Sequence, residues 1–211
     1  MFDFVMTITE RKIINYQQQE MKNMDNIHLS SKKEEIAKSA WKYMLKTGLA
    51  KASIGGLCRE TEYGESTLYH YYKNKDDIWI SAGKYGISYV VDNLLSFTLE
   101  HTDNVRTYFD TLLNEVEKYK FELRLAIQIT TSPMYGERMR NRAMDFRVWY
   151  ENYAEKLIYI FNCTHLQAEN FIYSIISYVI DYVIWDDREK TQMLLESLYS
   201  RTMNFIKANN P

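Results

Sequence analysis

A run of polar and aromatic residues, GESTLYHYYKNKDDI at positions 64–78, holds the side chains of this chain that are best suited to chemistry. Hydroxyls, an imidazole and amines lie close together there, and only Leu68 and Ile78 are plainly apolar. Hydroxyls and amines donate hydrogen bonds to phosphate oxygens, which set the register of a bound nucleic acid without reading its sequence. The run therefore suggests a short helix whose outer face contacts phosphate groups.

Catalytic and metal-binding patterns have little support elsewhere in the chain. No histidine lies at a metal-ligand spacing from Cys58 or Cys163, and no glycine-rich phosphate loop is present. The acidic pairs at 76–77 and 186–187 lie where helix caps explain them. We therefore expect neither an enzyme nor a bound metal or cofactor.

The composition favours an all-α protein. The 211 residues include only seven glycines and two prolines, which leaves few positions for the tight turns of a sheet, and 46% of the residues are hydrophobic. No apolar run is long enough to span a membrane, and the first residues lack the pattern of a secretion signal. We expect a cytoplasmic protein without a membrane contact.

The first part of the chain predicts four helices. Residues 1–30 show no apolar period and are interpreted as a flexible or partly helical extension, with Met21 and Met24 as alternative starts. A capping box, S-x-x-E at 31–34, opens a helix over 32–47, and Gly48 suits its left-handed end. Short helices are expected from Ser53 to about residue 61 and over 65–71, and Asn74 caps a fourth that begins at Lys75.

Two short helices joined by a tight turn and braced by a preceding helix predict a helix-turn-helix unit over residues 31–78. The stretch 33–80 resembles the tetracycline-repressor (TetR) family of bacterial regulators, and TLYHYYKNK is its strongest part. The residues that match the family pattern are Ile36, Ala40, Met44, Gly48, Ser53, Leu57, Cys58, Thr67, Leu68, Tyr69, Tyr72 and Lys75.

The resemblance implies DNA-binding roles for residues of the second and third helices. Phosphate contacts are expected from Thr67, Tyr69 and Lys75, and a groove-facing position from Ser66, His70 and Tyr71; Ser53 and Glu65 complete the predicted set. Two positions depart from the family. Glu62 stands where a turn glycine is usual and would be strained with a positive φ, while Glu65 replaces a common lysine and either repels phosphates or accepts from cytosine N4.

The second part of the chain, residues 79–211, is predicted to be a larger helical domain for effector binding and dimerisation. Its expected helices continue the fourth to about residue 98 and then cover 104–118, 121–131, 136–161, 165–185 and 188–207. The last two are too apolar for one core, so we expect a homodimer, the alternative being a helix buried within one subunit. Asp181 lies in this apolar run and either bonds across the dimer interface or balances a cationic ligand.

A small-molecule pocket is expected from the resemblance, between the fourth helix and the dimer helices. Aromatic and amide side chains suit an apolar or cationic effector there. Gly83 and Gly86 weaken the fourth helix and predict a hinge between pocket and DNA-reading unit. The candidate lining residues are Tyr85, Tyr89, Phe109, Gln128, Phe146, Trp149, Tyr150 and Tyr173.

The expected function is a DNA-binding transcriptional regulator, a ligand-released repressor that binds a palindromic double-stranded DNA operator as a homodimer. The alternative is a helical protein-interaction regulator of the same fold that has lost or weakened DNA binding, which Glu62 and Glu65 would permit. The local charge over 31–80, nine basic against seven acidic residues, provides no broad basic patch. The effector, the operator sequence and the choice between repressor and activator stay open.

Overall fold

A computed structural model describes residues 31–101, 103–140 and 144–209, and regular structure there is entirely helical. The predicted extension over 1–30 lies outside the described residues. The helices in chain order are α1 (Ser31–Thr47), α2 (Ile54–Glu60), α3 (Glu65–Tyr71), α4 (Lys75–Glu100), α5 (Val105–Lys118), α6 (Lys120–Thr131), α7 (Gly136–Arg140), α8 (Met144–Phe161), α9 (His165–Trp185) and α10 (Arg188–Asn209), with a 3-10 turn at Leu49–Lys51.

The predicted helix boundaries are confirmed at most ends, because local capping chemistry determines them. Ser53 accepts from the Gly56 amide at 3.1 Å, and Asn74 accepts from the Asp77 amide at 2.9 Å. Thr164 forms a full capping box at the start of α9, and Gly48 has a φ of +78° after α1. The helix expected over 136–161 corresponds to α7 and α8, with residues 141–143 outside the described part.

Helices α1 to α4 enclose a hydrophobic cluster that we call the N-terminal core. Its fully buried members include Ile36, Met44, Leu57, Leu68 and Ile78. The cluster does not end with the first four helices: α6, α7 and the residue directly before α7 add four further side chains. The helices of the predicted DNA-reading unit therefore share one core with part of the second domain, across the boundary expected at residue 78. The added side chains are Leu125, Ile129, Tyr135 and Met139.

Two further clusters hold the rest of the chain together. One joins α5, α9 and α10 around Phe109, Leu113 and Leu195, and the second half of α4 packs on it. The other joins α8 to α9 around Ala154 and Leu157. Since α4 contacts all three clusters, it links the N-terminal core to the later helices, and α6 contacts the first two clusters as well.

Candidate functional site

Helices α2 and α3 are positioned by a few buried anchors. Leu57 of α2 and Leu68 of α3 are fully buried in the N-terminal core, and residues 61–64 connect the two helices. Tyr72 closes α3: its ring is buried and its hydroxyl donates to the Lys33 carbonyl of α1 at 2.8 Å. These contacts fix α3 against α1 and leave its opposite face in solvent.

The outer face of α3 carries most of the predicted DNA-binding residues. Glu65, Ser66 and His70 are exposed, and Tyr69 is 45% exposed despite its large ring. Lys75 is exposed at the first turn of α4. These five side chains are thus exposed on α3 and on the first turn of α4.

Two of the other three predicted residues, Tyr71 and Ser53, also make structural contacts. Thr67 is partly exposed, whereas Tyr71 packs against the N-terminal core and meets the His70 ring edge-on, with centroids 5.0 Å apart. Ser53 is exposed, and its hydroxyl caps α2. Their predicted contacts with DNA stay predictions.

Glu62 and Glu65, the two acidic residues that differ from the family pattern, each have a local structural explanation. Glu62 is exposed, and positive φ values outside glycine occur among the described residues only at Asn162 and Asp186, so the turn avoids the strain considered for Glu62. Glu65 occupies the first turn of α3, where a carboxylate is favourable beside the helix dipole. Burial raises the pKa of the Cys58 thiol and the Glu65 carboxylate raises it further, which places Glu65 close to α2.

Sequence reasoning missed one basic residue next to this face. Lys73 is exposed in the connection between α3 and α4 and lines a surface groove of about 510 Å³ together with Lys33 and Arg138. Arg138 is ion-paired with Asp77 of α4, so it belongs to the packing of α7. The lysine pair in the run KNK was the signal that could have identified Lys73.

The five predicted ligand residues whose side chains the structure describes lie in different surroundings. Phe109 is fully buried in the cluster of α5, α9 and α10, Gln128 is exposed, and Tyr173 is 53% exposed on α9. Tyr85 and Tyr89 stack on each other along α4, with Tyr89 largely exposed. The side chains of residues 146, 149 and 150 lie outside the described part, so the predictions of Phe146, Trp149 and Tyr150 have no structural counterpart to compare.

Two neighbouring cavities lie instead behind the second half of α4. The larger, about 360 Å³, is bordered by α4, α5, α8, α9 and α10 and includes polar groups such as His101 and Arg201. The smaller, about 280 Å³, is bordered by α4, α5, α6, α8 and α9, and we call it the apolar cavity. Thr98, Tyr108 and Phe171 border both. None of the five described ligand candidates borders either cavity.

Three hydroxyl side chains meet on one wall of the apolar cavity. Burial raises the pKa of Tyr108 to about 12, against the opposite effect of the Thr98 hydroxyl. Burial also raises the pKa of Tyr153, and the neighbouring Tyr108 phenol raises it further. The Tyr153 hydroxyl oxygen is buried and makes no hydrogen bond of normal geometry, while the nearby Thr98 hydroxyl acts on the pKa of Tyr153 in the opposite direction to burial, as a hydrogen-bonding neighbour does. Together with Thr130 of α6, these side chains are the hydroxyl-bearing members of an otherwise apolar set of described lining residues.

The outer face of α9 is apolar at heptad spacing. Leu166, Tyr173 and Ile180 follow one another every seven residues and are 40 to 65% exposed. Trp185, at the end of α9, is 73% exposed. Exposed apolar stripes of this kind are typical of helix-helix interfaces. Asp181, beside the stripe, is partly exposed and borders neither cavity, so both of its predicted roles stay open.

The glycines of α4 lie at closely packed positions, and the expected hinge at Gly83 and Gly86 stays a prediction. A Cβ at Gly86 would lie 2.1 Å from Cε2 of Trp41, whose ring is 2% exposed in α1. A Cβ at Gly83 would lie 3.2 Å from Cγ2 of Ile129. Glycine is thus required at 86 because α1 approaches the α4 backbone closely.

No cluster of three or more metal-ligating side chains occurs within 31–101, 103–140 and 144–209, and no helix of this part is long and apolar enough to cross a membrane. A scan of the chain against protein-family models finds no match, and a search of curated proteins finds none either. A function for this chain is therefore inferred from its own geometry.

Proposed function

We propose that the protein is a DNA-binding transcriptional regulator of the TetR type that acts as a homodimer. The observation that carries the proposal is the pairing of α2 and α3. Leu57 and Leu68 anchor them to one core, while the solvent face of α3 presents Ser66, Tyr69 and His70. Hydroxyls and imidazole suit contacts with phosphates and base edges, and a helix of this kind fits the major groove.

Dimerisation is supported by the apolar face of α9 with its continuation in α10. Leu166, Ile180 and Ile184 are each at least 40% exposed, and Met193 of α10 is 68% exposed. A two-fold pair of these helices would remove the stripe from water and bring two copies of α3 to one side of the dimer. A dimer of this symmetry matches a palindromic operator, whose half-sites lie about 34 Å apart along the duplex.

We also propose that a small molecule bound in the apolar cavity releases the protein from DNA. Val91 and Leu94 of α4 border the apolar cavity, and the same helix begins beside α3 at Lys75. Helix α6 makes a second connection, since Ile127 borders the cavity while Ile129 is fully buried in the N-terminal core. A ligand that alters the packing of either helix would change the separation of the two α3 helices. Thermodynamic linkage then requires that DNA binding weaken ligand binding by the same factor.

The alternative function is a protein-interaction regulator of the same fold. The observation in its favour is the exposed acidic pair Glu62 and Glu65 beside α3, which would repel phosphates. The two functions differ in their response to salt. Phosphate contacts release counterions and make affinity for duplex DNA fall steeply with salt, whereas a protein-only binder shows no such dependence.

The test is a salt titration of binding to random duplex DNA with matched lysine variants. Lys75→Ala should weaken binding on all sequences and flatten the slope of log affinity against log salt by about one per lost phosphate contact. Lys190→Ala is the control, because Lys190 is equally exposed but lies on α10. Equal slopes for both variants would remove the phosphate role of Lys75, and no salt-dependent binding by the parent would favour the alternative function.

A further inference from the structure

We propose that the larger cavity behind the second half of α4 binds a small monocarboxylate with an apolar body, whose carboxylate pairs with Arg201. The inference goes beyond the proposed function, in which the effector occupies the apolar cavity, and it does not rest on DNA binding. Ligand binding can therefore be measured on the protein alone.

The larger cavity has a buried apolar interior and an exposed polar rim. Leu157, Ala168 and Leu198 border it and are each at most 5% exposed. Gln167 and Arg201 border the same space but are exposed, so they lie where the cavity opens to solvent. This arrangement suits an amphipathic ligand, because its apolar body leaves water while its polar head keeps part of its hydration.

Arg201 determines the sign of the charge on the ligand. Among the described residues that border the cavity, no other is a lysine, an arginine or an acid. In this part of the chain its guanidinium donates one hydrogen bond, to the Tyr178 hydroxyl at 3.3 Å, and it belongs to none of the ion pairs. A guanidinium carries several N–H donors in a planar fork that matches a carboxylate, so a ligand carboxylate can pair with this group.

The helix ends around the cavity do not change this sign. Helices α4 and α8 end beside it, at His101 and Phe161, and present the negative ends of their dipoles. Helices α5 and α9 begin beside it, where Val105 and Gln167 border the cavity, and present positive ends. These contributions offset one another, so the arginine decides the charge class.

Gln167 adds a hydrogen-bond donor to the rim. Its side-chain oxygen accepts from the Thr164 amide at 2.8 Å in the capping box of α9, which leaves its NH₂ group as a donor. The hydroxyls of Thr98 and Thr202 already donate to carbonyls of their own helices, each at 2.8 Å. A donor at the opening favours the same class of ligand, one that supplies acceptor oxygens.

The volume limits the size of the ligand. The larger cavity measures about 360 Å³. Water occupies about 30 Å³ per molecule in the liquid, so the space accommodates roughly twelve groups of that size. The 4-phenylbutanoate anion fits this volume and combines an apolar body with one carboxylate.

The first experiment compares three probes of similar size by calorimetric titration of the full chain without DNA. The probes are 4-phenylbutanoate, its neutral amide 4-phenylbutanamide, and the cation 4-phenylbutylammonium. We expect the carboxylate to bind about three- to thirtyfold tighter than the amide, a range that lies between an exposed ion pair and a charge-assisted hydrogen bond. The cation should bind at least about tenfold more weakly than the carboxylate.

Arg201→Gln removes the charge and keeps a polar side chain at an exposed position. It should bring the affinities for carboxylate and amide to within about twofold of each other, mainly through weaker carboxylate binding. Arg188→Gln is the matched control, because Arg188 is an exposed arginine of the same helix that borders neither cavity. This variant should retain the preference of the parent.

Alkylation of the two cysteines locates the bound probe. Cys163 borders the larger cavity, whereas Cys58 of α2 borders neither cavity, and both are partly exposed. Saturating 4-phenylbutanoate should slow the reaction of Cys163 with iodoacetamide and leave the rate at Cys58 unchanged, as followed by mass spectrometry of the peptides.

Four outcomes would overturn the inference: binding of none of the probes, equal or tighter binding of the amide or the cation, a carboxylate preference that survives in Arg201→Gln, or no protection of Cys163. None of them bears on the affinity of the protein for DNA. Loss of salt-dependent DNA binding would conversely contradict the proposed function and leave the carboxylate site intact.

Discussion

Substitution of the two α4 glycines by alanine should have opposite effects on stability, although they are three residues apart in one helix. At Gly86 the new methyl group would overlap the ring of Trp41, with three ring atoms 2.1 to 2.4 Å from the Cβ position. The ring is buried, so neither it nor α1 can move without disturbing the N-terminal core.

The expected change in the free energy of unfolding for Gly86→Ala is the sum of two opposing contributions. Forcing an extra carbon into a packed core costs about 1 to 3 kcal/mol, and contact with a rigid ring favours the upper part of that range. Alanine in place of glycine in a helix contributes up to about 1 kcal/mol in the other direction. We therefore expect Gly86→Ala to lower the free energy of unfolding by about 1 to 2 kcal/mol.

Gly83→Ala provides the matched comparison. Its Cβ would meet Cγ2 and Cδ1 of Ile129 at 3.2 and 3.3 Å, and small shifts of this flexible side chain relieve such contacts. The helix contribution then dominates, and Gly83→Ala should be neutral or stabilising by up to about 1 kcal/mol.

Urea unfolding followed by circular dichroism measures both variants under identical conditions. Combining Gly86→Ala with Trp41→Phe should recover part of the loss, because the smaller ring makes room and the two sites are directly coupled. Equal stabilisation by Gly83→Ala and Gly86→Ala would refute the close packing of α1 on α4. It would restore the interpretation of these glycines as a hinge.

Three further predictions concern α3, the ion pair between Lys120 of α6 and Asp186 at the end of α9, and the dimer. Tyr72→Phe removes the hydrogen bond from α3 to the backbone of α1 and should lower the free energy of unfolding by about 0.5 to 1.5 kcal/mol in urea titrations. Lys120 holds the pKa of the Asp186 carboxyl below its ordinary value of 3.8. The ion pair therefore stabilises the fold above pH 3.8, and this stabilisation is lost as the pH falls through the lowered pKa. The difference in urea midpoint between the parent and Asp186→Asn should shrink between about pH 6 and pH 3. Trp185→Ser should weaken the dimer in sedimentation equilibrium, while Phe121→Ser, on an equally exposed side chain of α6, should not.

Local signals in the sequence were sufficient to predict the helices. Caps at Ser53, Asn74 and Thr164 are short-range hydrogen bonds, so residue type and spacing identify them. Leu57 and Leu68, two apolar residues that match the family pattern, are both fully buried. The all-helical character of the described part is confirmed for the same reason.

Long-range packing could not be predicted in this way. Periodicity indicates that one face of α6 is buried, but it cannot show that Leu125 and Ile129 join the core of α1 to α4. It also cannot distinguish a core ring such as Phe109 from a cavity wall such as Tyr153, because both are aromatic residues at helical spacing. The sequence alone indicated that Gly86 weakens the helix. The Trp41 ring that packs against it lies forty-five positions away in sequence, so this contact could not be predicted.

The most direct test of the central claim is selection of fragments bound by the purified full-length protein from the genomic DNA of its source. A dimer that reads DNA through α3 predicts enrichment of an inverted repeat whose half-site centres lie one helical turn, about 34 Å, or a multiple of it apart. His70→Ala should alter the preferred bases within each half-site, because its imidazole is exposed on the outer face of α3. Recovery of no enriched repeat from a folded dimer would contradict the proposed function.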